Sequence, residues 1–186
     1  MAKILPLDQA NIVFILAFLN TVRNEAAFGN IQEFSGAARM RMLTWDDELA
    51  AQAANKAHTC EYSFDACRNT AKYPNVGQIV AKYTPTNPSD KSGTISDFFY
   101  GIKLISDVQT ASINDWGNFL SDQAVAVGCA AMEFTEDGSL VQLWVCNISA
   151  ATTVGERIYV SGSGGNGCTS GTDETYAGLC SASEPI

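Results

Sequence analysis

Residues 125–148 read Val-Ala-Val-Gly-Cys-Ala-Ala-Met-Glu-Phe-Thr-Glu-Asp-Gly-Ser-Leu-Val-Gln-Leu-Trp-Val-Cys-Asn-Ile. Two apolar runs, 125–134 and 140–148, flank Glu136-Asp137-Gly138, and Asp-Gly is the dipeptide that tolerates the positive φ angles of a tight hairpin turn. The stretch therefore predicts two adjacent antiparallel strands. Upstream, the period changes to helical. Asp8 is placed to cap a helix running to about Phe28, with Ile12, Ile15, Leu16, Leu19 and Val22 at 3–4 spacing and Gly29 as its stop. Thr44 is the expected cap of a second helix, whose early acids Asp46, Asp47 and Glu48 face the positive end of its dipole and whose apolar side carries Leu49, Ala53 and Ala57. Pro74, Pro85 and Pro88 punctuate a loop-rich middle in which residues 76–81 are a strand candidate. Thr94-Ile95-Ser96-Asp97 reads as a capping box opening a third helix through Ile105. Residues 157–160 read as a further extended piece. Helices first, then helices mixed with antiparallel strands, give an α+β layered domain.

The chain has 186 residues, 46% hydrophobic and 17% charged, which suits one compact domain, or one domain plus a tail, and excludes disorder, collagen and coiled coil. Eleven Lys and Arg stand against 20 Asp and Glu, a net charge of −9 whose field opposes nucleic-acid phosphate and anionic lipid. The deficit lies in the second half, where Arg157 is the one base after residue 103; an acidic solubilising surface is the plain reading. The apolar run 12–19 is eight residues, whereas roughly 20 are needed to cross a bilayer, so no membrane span is expected. It also lacks a small-residue cleavage site and reads as a buried helix in a form whose signal segment has been removed. Six cysteines suggest disulfides and an oxidising compartment, with 15 possible pairings left open.

Most chemical motifs reduce to structure. Residues 162–167 formally match Gly-x-Gly-x-x-Gly, but Cys168 follows instead of a helix, so residues 161–167 read as a flexible linker into a segment bracketed by Cys168 and Cys180. His58 is the single histidine, two residues from Cys60 on a helix, a spacing that points their side chains apart. With one His and the cysteines expected to be oxidised, no soft or nitrogen ligand shell for a transition metal assembles, and no cofactor is expected. Asp46, Asp47 and Glu48 diverge around the helix and stabilise its start rather than forming a catalytic pair. Asn147-Ile148-Ser149 is an N-glycosylation sequon at the end of a hydrophobic strand.

Several stretches together resemble the CAP superfamily (cysteine-rich secretory, antigen 5 and pathogenesis-related 1 proteins), and within it the insect antigen 5 group of venom and saliva. Residues 18–24 (Phe-Leu-Asn-Thr-Val-Arg-Asn) resemble the family's first-helix His-Asn-x-x-Arg pattern with Leu19 in place of His. Residues 37–40 (Ala-Ala-Arg-Met) and 43–50 (Leu-Thr-Trp-Asp-Asp-Glu-Leu-Ala) resemble the second-helix signature. Residues 60–70 (Cys-Glu-Tyr-Ser-Phe-Asp-Ala-Cys-Arg-Asn-Thr) and Val76-Gly77-Gln78 follow the antigen 5 pattern. Val127-Gly128-Cys129 with Val145-Cys146-Asn147 match the closing hairpin, and residues 176–181 resemble the C-terminus of fly and mosquito members.

The resemblance implies a three-layer α-β-α sandwich with an antiparallel central sheet, a CAP domain over residues 1–160, and a linker with a short disulfide-bonded C-terminal appendage over 161–186. It implies secretion, and it marks where a family cleft holding a divalent metal would lie. There this sequence has Phe64 and Asn118 at the two His positions, Gly101 near the acidic position of the third helix, and Gln78; a few residues after Asn118 look deleted. Phe64 ligates nothing and neutral amides are poor ligands for zinc or copper, so the metal site is expected to be degenerate and no catalytic residue is assigned. The antigen 5 pattern also includes a cysteine-bearing N-terminal arm, but no cysteine precedes Cys60 here. The resemblance then implies the pairs Cys60–Cys67, Cys129–Cys146 and Cys168–Cys180. The function expected is a secreted, non-enzymatic effector of insect saliva or venom that binds a host immune or haemostatic protein, or a cell-surface receptor. The alternative is a scavenger of a fatty acid, eicosanoid or sterol, with Phe64, Phe98, Phe99 and Tyr100 lining an apolar groove.

Overall fold

The computed structural model describes residues 2–31, 34–85, 113–153 and 155–185. In chain order the elements are β1 (Lys3–Leu5), α1 (Gln9–Ala27), β2 (Thr44–Trp45), α2 (Asp47–Ala57), β3 (Gly77–Tyr83), α3 (Ile113–Leu120), β4 (Ala126–Glu136) and β5 (Ser139–Ile148). The helix expected from Thr94 lies outside the described residues.

The hairpin forms as its residues dictate. β4 and β5 pair antiparallel from Val127 opposite Ile148 to Glu136 opposite Ser139. Asp137 and Gly138 take φ of 49° and 79°, the positive values a two-residue turn of this hand requires. β5 also pairs with β3, so the sheet order is β1-β4-β5-β3; β2 joins the outer edge of β4 in parallel.

Both faces of the hairpin are apolar because both are covered. Trp144, Cys146 and Ile148 of β5 lie with Val127, Cys129 and Ala131 of β4 under Ile15 and Leu19 of α1 and Phe119 of α3. The intervening residues Val141, Leu143 and Val145, with Ala130, Met132 and Phe134, meet Ala53 and Ala57 of α2. Side chains alternate across a strand, so this parity makes a sheet between two helical layers, the α-β-α sandwich. Each fully buried aliphatic side chain stabilises the arrangement by about 1.5–3 kcal/mol.

α1 begins where expected. The Asp8 carboxylate accepts from the Asn11 amide while the Asn11 side chain accepts from the Asp8 N–H, and Gly29 follows the last turn with φ of 75°. α2 differs: its cap is Asp46, whose Oδ1 accepts from the Glu48 and Leu49 amides, and not Thr44. The Thr44 and Asp46 N–H groups donate to Val125 and Val127 carbonyls, so the backbone is committed to the sheet through Asp46 and the helix starts after it.

Two further differences concern the C-terminal third. Residues 157–160 form no strand; the Val160 carbonyl accepts from Ala38 and its N–H donates to Asp122 Oδ2. Residues 161–167, read as a flexible linker, are packed: Gly162 N donates to Gly36 O and Gly167 N to Ala38 O. A side chain at Gly164 would meet the Ala27 carbonyl at 3.0 Å, so glycine there serves close approach rather than freedom.

Residues 37–46 receive all of this. Ala37 bridges Ser161, Arg41 bridges Cys180, and Thr44 and Trp45 pair with β4. Across the same stretch, Asn20 of α1 exchanges two bonds with the Leu43 backbone, Nδ2 to O at 3.0 Å and N–H to Oδ1 at 2.8 Å.

Candidate functional site

The positions to which the family cleft was assigned separate in space. β3 sends successive side chains to opposite faces. Gln78 points toward α2: its Nε2 donates to Asn147 Oδ1 at 2.8 Å, and Asn147 Nδ2 donates to the Leu49 carbonyl at 3.3 Å. Gln78, Asn147 and Gly128 form one row across three strands, and a side chain at Gly128 would strike the backbone of Ala50 and Asp46, at 2.1 and 2.6 Å. Gly77 faces the other way, where a Cβ would meet Asn118 Cγ at 2.6 Å. Gln78 and Asn118 thus lie on opposite sides of the sheet.

Each amide is also occupied. Gln78 Oε1 accepts from the Asp65 N–H at 2.7 Å, and Asn118 Oδ1 accepts from the Thr152 N–H at 2.8 Å and its hydroxyl at 3.1 Å. Both residues are buried. Phe64 is 56% exposed on the loop that Gln78 tethers through Asp65. The donor set therefore does not fit a metal: a carbon side chain on the surface and two neutral amides on opposite faces, their oxygens committed to internal donors. Gly101 lies outside the described residues, as do Phe98, Phe99 and Tyr100, so of the expected groove Phe64 alone is placed.

The cysteines divide. Cys129–Cys146 and Cys168–Cys180 are bonded, as the resemblance implied. Cys60 and Cys67 are unpaired, which corrects the third expected pair. The intervening loop is shaped by other bonds: Cys67 N–H to Asp65 Oδ1, Arg68 to the Asp65 and Val76 carbonyls, and the buried Lys56 ammonium to Thr59 and Ser63 hydroxyls.

The sequon is likewise structural. Asn147 is wholly buried with both ends of its amide engaged, and the Ser149 hydroxyl accepts from the Val125 and Ala126 amides at 2.8 and 3.0 Å. A glycan on Asn147 Nδ2 has no room in this fold.

Two buried charged groups carry roles that sequence reading did not assign. Arg23, on α1, is fully buried and spends its guanidinium on carbonyls: Nε and Nη2 on Arg41, Nη1 on Phe119 and Ser121, and Nη2 also on Ala124. Burial, helped by the nearby Arg41 cation, lowers its pKa to about 9. The signal was present: Arg23 continues the Ile15–Leu19 stripe that faces the core, and a charge on such a stripe demands buried partners.

The second is Glu184, whose side chain has no exposed surface. Its carboxylate accepts from the Thr169 N–H at 3.0 Å to each oxygen, the Ser170 N–H at 2.7 Å, the Thr169 hydroxyl at 3.0 Å and Arg39 Nε at 2.8 Å. Those donors, the Thr169 amide foremost, hold its pKa down to about 2.

Comparison with known proteins accords with this architecture. Residues 16–148 match the profile of the CAP, cysteine-rich secretory protein family. The chain is 31% identical to venom allergen-1 of Aedes albopictus, over 99% of this chain and 77% of that protein. It is 32% identical to tabinhibitin 6 of Tabanus yao, over 92% and 72%. The crystal structure of NaASP2 with Zn2+ superposes with a TM-score of 0.74 at 18% identity, covering 94% of this chain and 96% of that one, which is a likeness of fold. A profile spanning most of the chain, relatives above 30% identity along nearly its whole length, and the shared three-layer fold lead to one conclusion: the chain belongs to the CAP family of cysteine-rich secretory proteins.

Proposed function

We propose that this is a secreted, non-enzymatic effector of the antigen 5 type, acting by binding a host immune or haemostatic protein through its surface. The observation that carries the reading is the fate of the cleft positions: Gln78 and Asn118 are consumed by internal hydrogen bonds on opposite faces of the sheet, and Phe64 is exposed. A site whose polar groups all hold the fold has none left to polarise a substrate, whereas the fold itself presents loops such as the one bearing Tyr62 and Phe64, 65% and 56% exposed. Relatives named venom allergen and tabinhibitin support an extracellular place of action.

The test is binding of the purified, disulfide-intact protein to leukocyte surfaces and to a panel of plasma proteins, with a solvent extract of the same sample examined for lipid. A saturable protein or cell-surface signal without bound lipid is the expected result. A stoichiometric lipid with no protein partner makes the protein a scavenger instead, and a turnover lost on substituting Gln78 or Asn118 overturns the non-enzymatic reading.

A further inference from the structure

The carboxylate of Glu184 sits in a socket whose backbone is also fastened by bonds other than its own. Thr169 and Ser170 follow Cys168, which is bonded to Cys180 and preceded by the Gly167 N–H bond to Ala38. Arg39 belongs to the central stretch 37–46, and Cys180 is tied to that stretch by two backbone bonds, Cys180 N to Met40 O and Met42 N to Cys180 O. The occupant is held far more lightly. Ala182, Ser183 and Pro185 are exposed, and none of residues 181–185 buries an apolar side chain. Beyond the Glu184 contacts, the Pro185 carbonyl accepts from Arg39 and Arg41, the Ser181 N–H donates to Gly171, and the Ser181 hydroxyl meets Ser170 O and Ser183 Oγ.

Two backbone N–H groups, a hydroxyl and a guanidinium converging on one carboxylate are the components of an anion site, and charge-assisted bonds of this kind are the strong ones. In a chain of net charge −9, emptying the socket leaves the Arg39 guanidinium without the carboxylate it pairs with. We propose that residues 181–185 are a self-ligand, and that the Arg39–Thr169–Ser170 socket is a binding site for an acidic peptide side chain, occupied in cis by Glu184. An acidic peptide segment of a partner gains the site by displacing this short polar strap, without disturbing the sheet.

The test uses the full chain carrying Glu184→Ala, which empties the socket, and a fluorescent amidated peptide, Ser-Ala-Ser-Glu-Pro, read by anisotropy. The variant binds this peptide at least about tenfold more tightly than the same peptide with Gln for Glu, and more tightly than the unmodified protein does, since there the strap competes. Adding Arg39→Ala removes the binding. A folded variant with both disulfides intact that ignores the peptide, or takes the Glu and Gln forms equally, overturns the proposal. Should Glu184→Ala fail to fold, the unmodified protein decides: a detachable strap makes the Thr169 and Ser170 amides exchange at least about tenfold faster, relative to their intrinsic rates, than those of Val145 and Cys146. Equal protection means that the strap leaves only when the whole domain unfolds, and overturns it too.

Discussion

The β4–β5 hairpin and the C-terminal segment 161–185 are each closed by a disulfide, yet they are held in unlike ways. In the hairpin, Cys129 lies directly opposite Cys146 within a ladder of ten residue pairs, flanked by apolar side chains on both faces. Around Cys168–Cys180 regular structure is absent. The segment is fastened by scattered, specific contacts: Gly162 to Gly36, Gly167 to Ala38, Cys180 to Met40 and Met42, Gly178 to Asn24, Glu184 to its socket, and Leu179 buried in a cluster with Ala26, Ala27 and Met40. Repetitive contacts back one another up, so the hairpin tolerates the loss of any one of them. Scattered contacts back one another up less, so the segment has a smaller reserve against the loss of any one. Arg23 bonds the carbonyl of Arg41, within the stretch 37–46 that joins both regions, and those of Phe119, Ser121 and Ala124.

That contrast breaks most decisively at Arg23. Arg23→Met removes the guanidinium from the carbonyls of Arg41, Phe119, Ser121 and Ala124 and is expected to cost about 4 kcal/mol, read as a fall in the urea midpoint. A loss under about 1 kcal/mol, within the range of ordinary surface substitutions and single exposed contacts, shows that water replaces the guanidinium and that the junction is not obligatory.

Gly128→Ala tests the sheet side. The new methyl meets α2 backbone at 2.1 Å, which must move because no flexible side chain is there to yield, and about 3 kcal/mol of destabilisation by chemical denaturation is expected. Gly138→Ala, at the hairpin turn with open space around it, costs about 1 kcal/mol through its positive φ alone. If the two substitutions cost the same, close approach of α2 is not what selects glycine at 128.

Replacing Cys168 and Cys180, which are 12 positions apart in sequence, together by Ser removes about 3 kcal/mol in the chain-entropy account. Early proteolytic cleavage within 161–185, before any cut in β4 or β5, distinguishes the sparsely fastened region from the repetitive one. Simultaneous cleavage of both erases the distinction.

Acid sharpens the comparison locally. The folded pKa of Glu184, about 2, lies below its ordinary 4.5, so the folded segment binds fewer protons than the unfolded one. Its contribution is complete above about pH 4.5 and is lost as pH falls toward 2. The Arg39 guanidinium bonds the carboxylate directly, and Arg41 acts on it through its nearby charge. The amide resonances of Thr169 and Ser170 should titrate with a midpoint near 2, absent in Glu184→Gln; a midpoint above 4 means the donors do not hold the carboxylate. The smallest effect is expected at Phe64→Ala, which leaves stability within about 0.5 kcal/mol because the ring is more than half exposed. A larger loss means that the ring packs on part of the chain.

What could be read from the residues follows the same division. The hairpin announces itself through Asp137-Gly138 between long apolar runs, and α1 through Asp8 and Gly29, because such signals act within a few residues. The start of α2 was misplaced by two residues since the Thr44 N–H is claimed by β4, a partner some 80 residues away that no local rule sees. β1 is three residues long and too short to carry a pattern, and α3 is marked in the sequence by Asn118 at a family position and by no helical signal, its interior Gly117 being a weak helix former. That glycine answers to a distant neighbour: a Cβ there would press on the Thr152 hydroxyl at 2.7 Å. At the cleft, residue identities were legible but not directions. The parity that sends Gly77 toward Asn118 and Gln78 toward Asn147 depends on which face each helix covers. Glu184 carries no local signal of its role, because its donors are assembled by chain crossing and not by spacing.

The buried sequon has a consequence in time rather than in space. Asn147 is within reach of a glycan-transferring enzyme only until β5 takes its place between β3 and β4 and the amide closes on Gln78 and Leu49. In a compartment where that enzyme works, sugar occupancy at Asn147 becomes a clock for the docking of β5. A chain that folds promptly escapes bare, while one delayed at this step is marked permanently, and the mark itself prevents the late folder from completing the row.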